Sequence, residues 1–456
     1  MENKLTENKM GVMPIGKLIF SMSLPAVISM TLQAVYNVVD SLFVAQISES
    51  ALAAVTLVFP LQLLLIAVGI GTGVGLNSLI SRKLGEKNFN EANSAATHGF
   101  LLIGFNWIIF LLIGLFLSAP FFRWYSEDTS LVQMATSYCT INLCFSIFLF
   151  TQITCERILQ GTGNMILPMV SNMIGCIVNI ILDPIMIFGL FGFPELGVSG
   201  AAIATVIGQA VGCITICGFF FFKEHPVKLV IKKFRFSWHT IKDIYIVALP
   251  GMVMQAIPSF VNIVLNMMLI SFSVTAVSVF GVYFRLQSFV FMPVFGVTQG
   301  AMPVMGYNYG AKNKNRLVHS TNLTLKVTSI IMFLGFILFQ LFPNMLMSMF
   351  NASGDMMSMG VMAMRVLSLC FVPAAVGITF ATFFQALGYG MYSLIVTLLR
   401  QVIVLLPAAW IFSEFAGVTG VWLSFPFAEI FSLICSIVFY IRINRKEISV
   451  MPEGNS

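Results

Sequence analysis

Twelve apolar runs decide what this chain can become. They lie at roughly 15–46, 52–80, 94–118, 131–155, 165–190, 198–222, 243–272, 276–306, 318–342, 357–384, 392–413 and 418–441. About 20 such residues, wound as a helix at about 1.5 Å per residue, cross the hydrocarbon layer of a bilayer. No water reaches that layer to satisfy a backbone N–H or C=O. An open sheet would leave its edges unpaired there, so the runs are read as helices. Composition agrees: 58% of the residues are hydrophobic and 9% charged, against about 25% charged in a soluble domain. The expected fold is all-α and integral to the membrane, with twelve transmembrane helices. Met1 to Met13 is polar, and no short apolar core with a small-residue cleavage site follows it. The first run is therefore expected to belong to the mature protein and not to a signal peptide.

Lys and Arg orient the bundle, because segments that stay inside carry an excess of both. With the N-terminus inside, Arg123 alone falls in an outside loop, and Arg285, Lys326, Arg365 and Arg400 fall within helices. The other 19 of the 24 basic residues then lie inside. Outside loops carry Glu49, Glu127, Asp128, Glu195, Asp355 and Glu414 instead. The expectation is a multi-pass chain in a cell membrane with both termini cytoplasmic. The net charge of +6 follows from this topology and does not indicate nucleic acid as a partner. The basic run Lys223 to Lys242 is the longest inside loop.

The two halves repeat. Leu24-Pro25 opens the first helix and Leu249-Pro250 the seventh, an offset of 225 (249 less 24). The same offset carries Asn37 onto Asn262, Gly75 onto Gly300, and Gly85-Glu86-Lys87-Asn88 onto Gly310-Ala311-Lys312-Asn313. It also carries Gln160 and Gly163 onto Gln385 and Gly388. Gly197-Val198-Ser199-Gly200 meets Gly417-Val418-Thr419-Gly420 at offset 220 (417 less 197). The domain reading is an N-terminal six-helix bundle at 1–222, a basic linker loop at 223–242, and a C-terminal six-helix bundle with a short tail at 243–456. Six helices return the chain to its starting side, so the repeats are parallel. Such repeats place a substrate near the midplane and rock against each other to give alternating access.

Other chemistries find no support. The eight cysteines lie in apolar stretches without the spacing of a zinc site, and are read as isolated thiols. The four histidines are far apart. The run Gly69 to Gly75 has no strand before it and no Gly-Lys-Ser/Thr, so it is read as a surface for close helix packing and not a nucleotide loop. No cofactor and no enzymatic activity are expected. An ion gradient suffices as the energy source, at about 2.3 kcal/mol per charge per 100 mV.

At this point the motifs resemble a known family. Leu24-Pro25, Tyr36-Asn37-Val38-Val39-Asp40, Ser81-Arg82-Lys83-Leu84-Gly85, Gln160-Gly161-Thr162-Gly163-Asn164 and Asn179-Ile180-Ile181-Leu182-Asp183-Pro184 occur in this order over nearly the whole chain. The set resembles the multidrug and toxic compound extrusion (MATE) family. The stretch Asn179 to Phe188 and the segment Phe284-Arg285-Leu286 are most similar to its bacterial MepA-type and DinF-type members. The resemblance implies two six-helix bundles forming a V. It also implies export of organic cations and xenobiotics in exchange for protons or sodium ions.

Charges in the bilayer core cost about 2.5–3.5 kcal/mol each on insertion scales, which singles out Asp40 and Asp183. They lie about 25 and about 18 residues along helices that start inside, hence in the outer half. Asn179 is one turn from Asp183 on the same face. In a low-dielectric pocket, two carboxylates and an amide hold a proton more readily than they would in water. Sodium, which takes oxygen ligands, suits the same groups. The resemblance points to these positions as the cation site of the DinF-type branch. The repeat sharpens this. Asp40 falls on Leu265, and aligning Pro184 with Pro407 puts Asp183 on Leu406 and Asn179 on Val402. The ion site is therefore expected in the first half, with protons preferred over sodium.

Substrate contacts are read at Glu156, near the inner end of the fourth helix, and at Asn37. Phe, Tyr and Met side chains would hold cationic or aromatic drugs through cation–π contacts and soft packing. Arg285, Arg400 and Glu429 are read as structural charges, with Glu429 pairing one arginine. Pro25 removes a helix hydrogen bond and is read as a hinge. The chain is expected to act as a monomer. Two alternatives stand beside the exporter. One is a lipid-linked oligosaccharide flippase of the same superfamily, against which twelve helices and buried aspartates argue. The other is an integral-membrane enzyme, for which no motif speaks.

Overall fold

A computed structural model of the chain describes residues 8–125, 127–230, 234–350, 352 and 354–452. The apolar runs are helices in it, and no described residue lies in a strand. The first six are α1 (Ile15–Ala45), α2 (Glu49–Gly85), α3 (Phe89–Trp124), α4 (Thr129–Cys144 and Ile147–Gly161, bent by 44°), α5 (Ile166–Phe188) and α6 (Gly197–Phe222). Then follow α7 (Trp238–Ile270), α8 (Val274–Gly310), α9 (Lys314–Leu341) and α10 (Asp355–Ser368 and Phe371–Leu387, bent by 45°). The last run, Gly390–Ile448, has 59 residues, too many for one crossing. It breaks at Gly417, whose φ of 57° and ψ of −138° leave the helical region. This yields α11 (390–416) and α12 (418–448), and twelve apolar helices among the described residues.

The repeat seen in the sequence extends to the backbone. Ser48 caps α2 by accepting from the Ala51 N–H, and Ser273 caps α8 by accepting from the Ala276 N–H. Asn88 and Asn313 cap α3 and α9 in the same way. Such caps satisfy N–H groups that a helix start leaves unpaired. Gly163 and Gly388 both end a helix at φ 94°. Lys87 and Lys312, also 225 apart, both sit at positive φ, 58° and 53°. A non-glycine residue there stores roughly 1–3 kcal/mol, of which glycine would return part as unfolded-chain entropy. Lys87→Gly and Lys312→Gly are each expected to gain about 0.5–1 kcal/mol, and Lys87→Val to lose stability. Thermal unfolding of the purified protein in detergent checks this. A loss on Lys87→Gly would show that the lysine side chain outweighs its backbone cost.

Packing divides the chain into two compact units, Ile28–Gln255 and Met1–Val27 together with Ala256–Ser456. The division falls inside α1 and α7, whereas the sequence repeat places its boundary in the 223–242 loop. Glycines explain where it falls. In the unit containing Ala256–Ser456, the start of α1 lies along α8. A Cβ on Gly296 would come within 2.5 Å of Val27, and one on Gly300 within 2.7 Å of the Met22 and Ser23 backbone. Ser23 Oγ donates to the Val297 carbonyl at 3.2 Å. In the other unit the start of α7 lies along α2. A Cβ on Gly71 would meet the Met252 nitrogen at 2.6 Å, and one on Gly75 the Ile244 oxygen at 2.4 Å. The two glycine pairs are themselves 225 apart, so each half seats the opening of the other half's first helix.

The 223–242 loop is held on α3 where it is described. The Lys228 and Val230 N–H groups donate to Asn93 Oδ1 and Thr97 Oγ1 at 2.6 and 3.1 Å. The Ser237 N–H donates to His98 Nε2 at 2.9 Å. In the unit containing Ala256–Ser456, an apolar core of Phe280, Tyr283, Phe339, Phe371 and Trp422 fills the space between α8, α9, α10 and α12.

Candidate ion-binding site

Close approach of α5 and α6 sets the site. A Cβ on Gly175 would come within 2.9 Å of the Gly208 carbonyl, and one on Gly208 within 2.9 Å of Asn179 Cβ. At that separation Asn179 of α5 faces Thr205 of α6. Its Nδ2 lies 3.4 Å from Thr205 Oγ1 and donates to Asp183 Oδ1 at 3.3 Å. Asn179 and Asp183 are 2% and 0% exposed, and their spacing of four residues stacks them on one face.

Asp40 comes from α1 to meet Asp183, carboxyl against carboxyl. Its Oδ1 is buried and has no hydrogen-bond partner. Tyr36, one turn before Asp40, faces both carboxylates and hydrogen-bonds with Thr205. Tyr138 of α4 is buried beside the pair and its hydroxyl accepts from Gln62 Nε2 of α2 at 3.3 Å. The ring around the two carboxyls is thus two phenols, two amides and a hydroxyl.

The chemistry follows from the charge. Two ionised carboxylates in contact inside a low dielectric repel strongly, and one proton shared between them removes that repulsion. The same proton supplies the donor that Asp40 Oδ1 lacks. A small monovalent cation with oxygen ligands would balance the same charge, so the site can hold one cation and lose it again.

Asp40, Asn179 and Asp183 are therefore brought together. Tyr36, Gln62, Tyr138 and Thr205 join them without having been singled out in the sequence. Tyr36 had a readable signal, since it lies four residues before Asp40 on the same helix. The other three are neutral polar residues of a kind found throughout the apolar runs. In the second half, Leu265 at the position matching Asp40 is fully buried in apolar core.

The remaining candidates are placed elsewhere. Glu156 is 7% exposed on α4 and meets Gln152, Asn172 and, through Asn172, Ser29. The side chain of Asn37 lies outside the described residues. Pro25 is inside α1, two residues before the packing division after Val27. Arg400 Nε lies 3.5 Å from Glu429 Oε1, while Arg285 is exposed. The cysteines read as isolated thiols are not all so. Cys155 of α4 interacts with Cys213 and Cys217 of α6, because the packing of α4 on α6 brings distant positions together.

Comparison with known proteins adds a lineage. The MatE family model matches residues 25–185 and again 250–411, and the two matches begin 225 residues apart (250 less 25). The FAD transporter of Shewanella oneidensis is 29% identical over 422 residues, covering 91% of this chain and 92% of that protein. The multidrug export protein MepA of Staphylococcus aureus is 24% identical over 437 residues, covering 95% of each. Among solved structures, the outward-facing conformation of a multidrug resistance MATE family transporter of the MOP superfamily superposes with a TM-score of 0.89 at 27% identity. It covers 96% of this chain and 98% of that one.

Proposed function

The chain belongs to the MatE family, and from that premise we propose that it is an ion-coupled exporter of organic cations and other xenobiotics that works by alternating access. It is a multi-pass membrane protein, and the reading places both termini in the cytoplasm. Each cycle takes one coupling cation inward at Asp40 and Asp183 and carries one substrate outward. The observation that carries this reading is the buried carboxyl pair with its donor-less Asp40 oxygen. A membrane protein has little reason to bury two facing acids unless a cation comes and goes there. Protons are the preferred ion, because among the described residues the pair's immediate shell offers phenol and amide groups and no further carboxylate.

Organic cations are the first substrate class proposed, in keeping with the multidrug export for which the Staphylococcus relative is named. The Shewanella relative supports a second reading, in which the cargo is a flavin dinucleotide. Inverted vesicles separate the two. An acid interior is expected to drive ethidium uptake, and an equal sodium gradient is not. Uptake of FAD without ethidium would transfer the assignment to the flavin. Uptake of neither under either gradient would remove ion-coupled export of both classes.

A further inference from the structure

Glu156 lies apart from the carboxyl pair, and four helices close around it. Gln152, one turn earlier on α4, donates Nε2 to Oε1 at 3.0 Å, and Asn172 Nδ2 of α5 approaches Oε2 at 3.5 Å. Gln152 Nε2 also lies 3.1 Å from Asn172 Oδ1, and Asn172 Nδ2 reaches Ser29 Oγ of α1 at 3.1 Å. From α6, Gly212 leaves the space that Gln152 fills, since a Cβ there would come within 2.9 Å of the amide.

The acid has amides where a cation would be expected. Arg157, its chain neighbour, acts on it through charge but directs Nη1 to Gln160 Oε1 at 3.2 Å. The other titratable groups that interact with it are thiols, Cys155 on α4 and Cys176 on α5. α6 carries no charged residue, and between Ile28 and Ala45 α1 carries Asp40 alone. A hydrogen bond from an amide to an ionised carboxylate returns about 1.5–3 kcal/mol, and with Asn172 at the long distance of 3.5 Å the one short bond from Gln152 falls below the several kcal/mol needed to bury the charge. Glu156 is least costly in the membrane when it carries a proton.

Its position gives that proton a route. Asn172, Cys176, Asn179 and Asp183 follow one another by four, three and four residues, one face of α5. Seven residues at about 1.5 Å each put Asn172 about 10 Å from Asn179, toward the end of α5 at Ile166. That is the end the proposed orientation places in the cytoplasm. Ser29, tied to Asn172, is one turn after Pro25.

We propose that Glu156 is a second proton-binding carboxyl, the station through which the proton released by the Asp40–Asp183 pair reaches the cytoplasm. One O–H bond breaks at the pair as the proton passes to water along the α5 face. One forms at Glu156 and then breaks as the proton leaves to cytoplasmic water. No electrons move. The inference rests on proton coupling at the pair.

Proteoliposomes test both steps separately. Proton-driven ethidium transport needs a net proton to pass, whereas exchange of radiolabelled for unlabelled ethidium at equal pH does not. Glu156→Gln is expected to lower driven transport about 100-fold, the scale of losing a positioned proton-transfer group, and to lower exchange far less. Glu156→Asp, which keeps a carboxyl, is expected to restore driven transport. Equal loss of both activities in Glu156→Gln would overturn the proposal in favour of a structural or substrate-binding role. Normal driven transport in Glu156→Gln overturns it too. Asp183→Asn in the same assay tells the two readings apart. If Asp183→Asn abolishes driven transport and Glu156→Gln does not, only the station fails; if the wild type ignores the proton gradient, both fail.

Discussion

Asp183→Asn is expected to abolish gradient-driven export while leaving the protein folded, and Asp40→Asn to do the same. Asparagine keeps the volume and the carbonyl oxygen that accepts from Asn179 at 3.3 Å. It cannot take up or release a proton at neutral pH. The carboxyl facing it then has no partner with which to share one, so binding and release of the coupling cation both stop. A loss of about 100-fold or more in driven transport is the expected scale. Stability should not fall, because removing one of two facing buried acids removes a repulsion. Thermal unfolding in detergent together with ethidium transport in proteoliposomes checks the pair of outcomes. Thr205→Val sets the scale for the shell. It removes a hydroxyl from Asn179 and Tyr36 but no titrating group, so its effect should stay near that of two hydrogen bonds, about 1–3 kcal/mol. The assignment fails if both asparagine variants, present at wild-type amounts, export at wild-type rate.

The sequence made this site readable for an energetic reason. A charge in an apolar run is costly enough that Asp40 and Asp183 stand out singly, and helical spacing adds Asn179 to the second. Tyr138, Gln62 and Thr205 carry no such cost. Their membership depends on how α2, α4 and α6 pack, which residue type does not encode locally. The repeat was legible in another way. Short motifs at offset 225 mark turns, and the turns recur with their caps and with positive φ at Lys87 and Lys312. The packing units were not legible from it. A repeat identifies segments of like sequence, whereas a packing unit is defined by which surfaces touch. The glycines at 71, 75, 296 and 300 were visible as small residues, but the helix that each pair seats is remote in the chain. Glu156 shows the same limit. It was read as a substrate contact beside Arg157, yet successive helical residues point about 100° apart, and the acid faces the amides of Gln152 and Asn172.

Those glycines carry the second large effect. Gly75→Ala is expected to lower the unfolding temperature of the purified protein, and Gly300→Ala to do so by a similar amount. At both positions the obstacle is backbone, the Ile244 oxygen at 2.4 Å for one and Met22 and Ser23 at 2.7 Å for the other. A flexible side chain could swing away, but here a whole helix must shift. Helix association in a bilayer rests on such close approach, since lipid offers no hydrophobic drive between helices. Overpacking of this kind costs about 1–3 kcal/mol, or roughly 3–10 °C for units of this size. Gly104→Ala and Gly218→Ala are the controls. Each lies within a helix with nothing within 4 Å of an added Cβ, so alanine there should be neutral or gain up to about 1 kcal/mol from helix propensity. Gly75 and Gly300 belong to different packing units and share no partner, so the double variant should lose the sum of the single losses. Equal unfolding temperatures for Gly75→Ala and Gly218→Ala would mean that the seat of α7 on α2 yields without cost, and the explanation of where the packing units divide would fall with it.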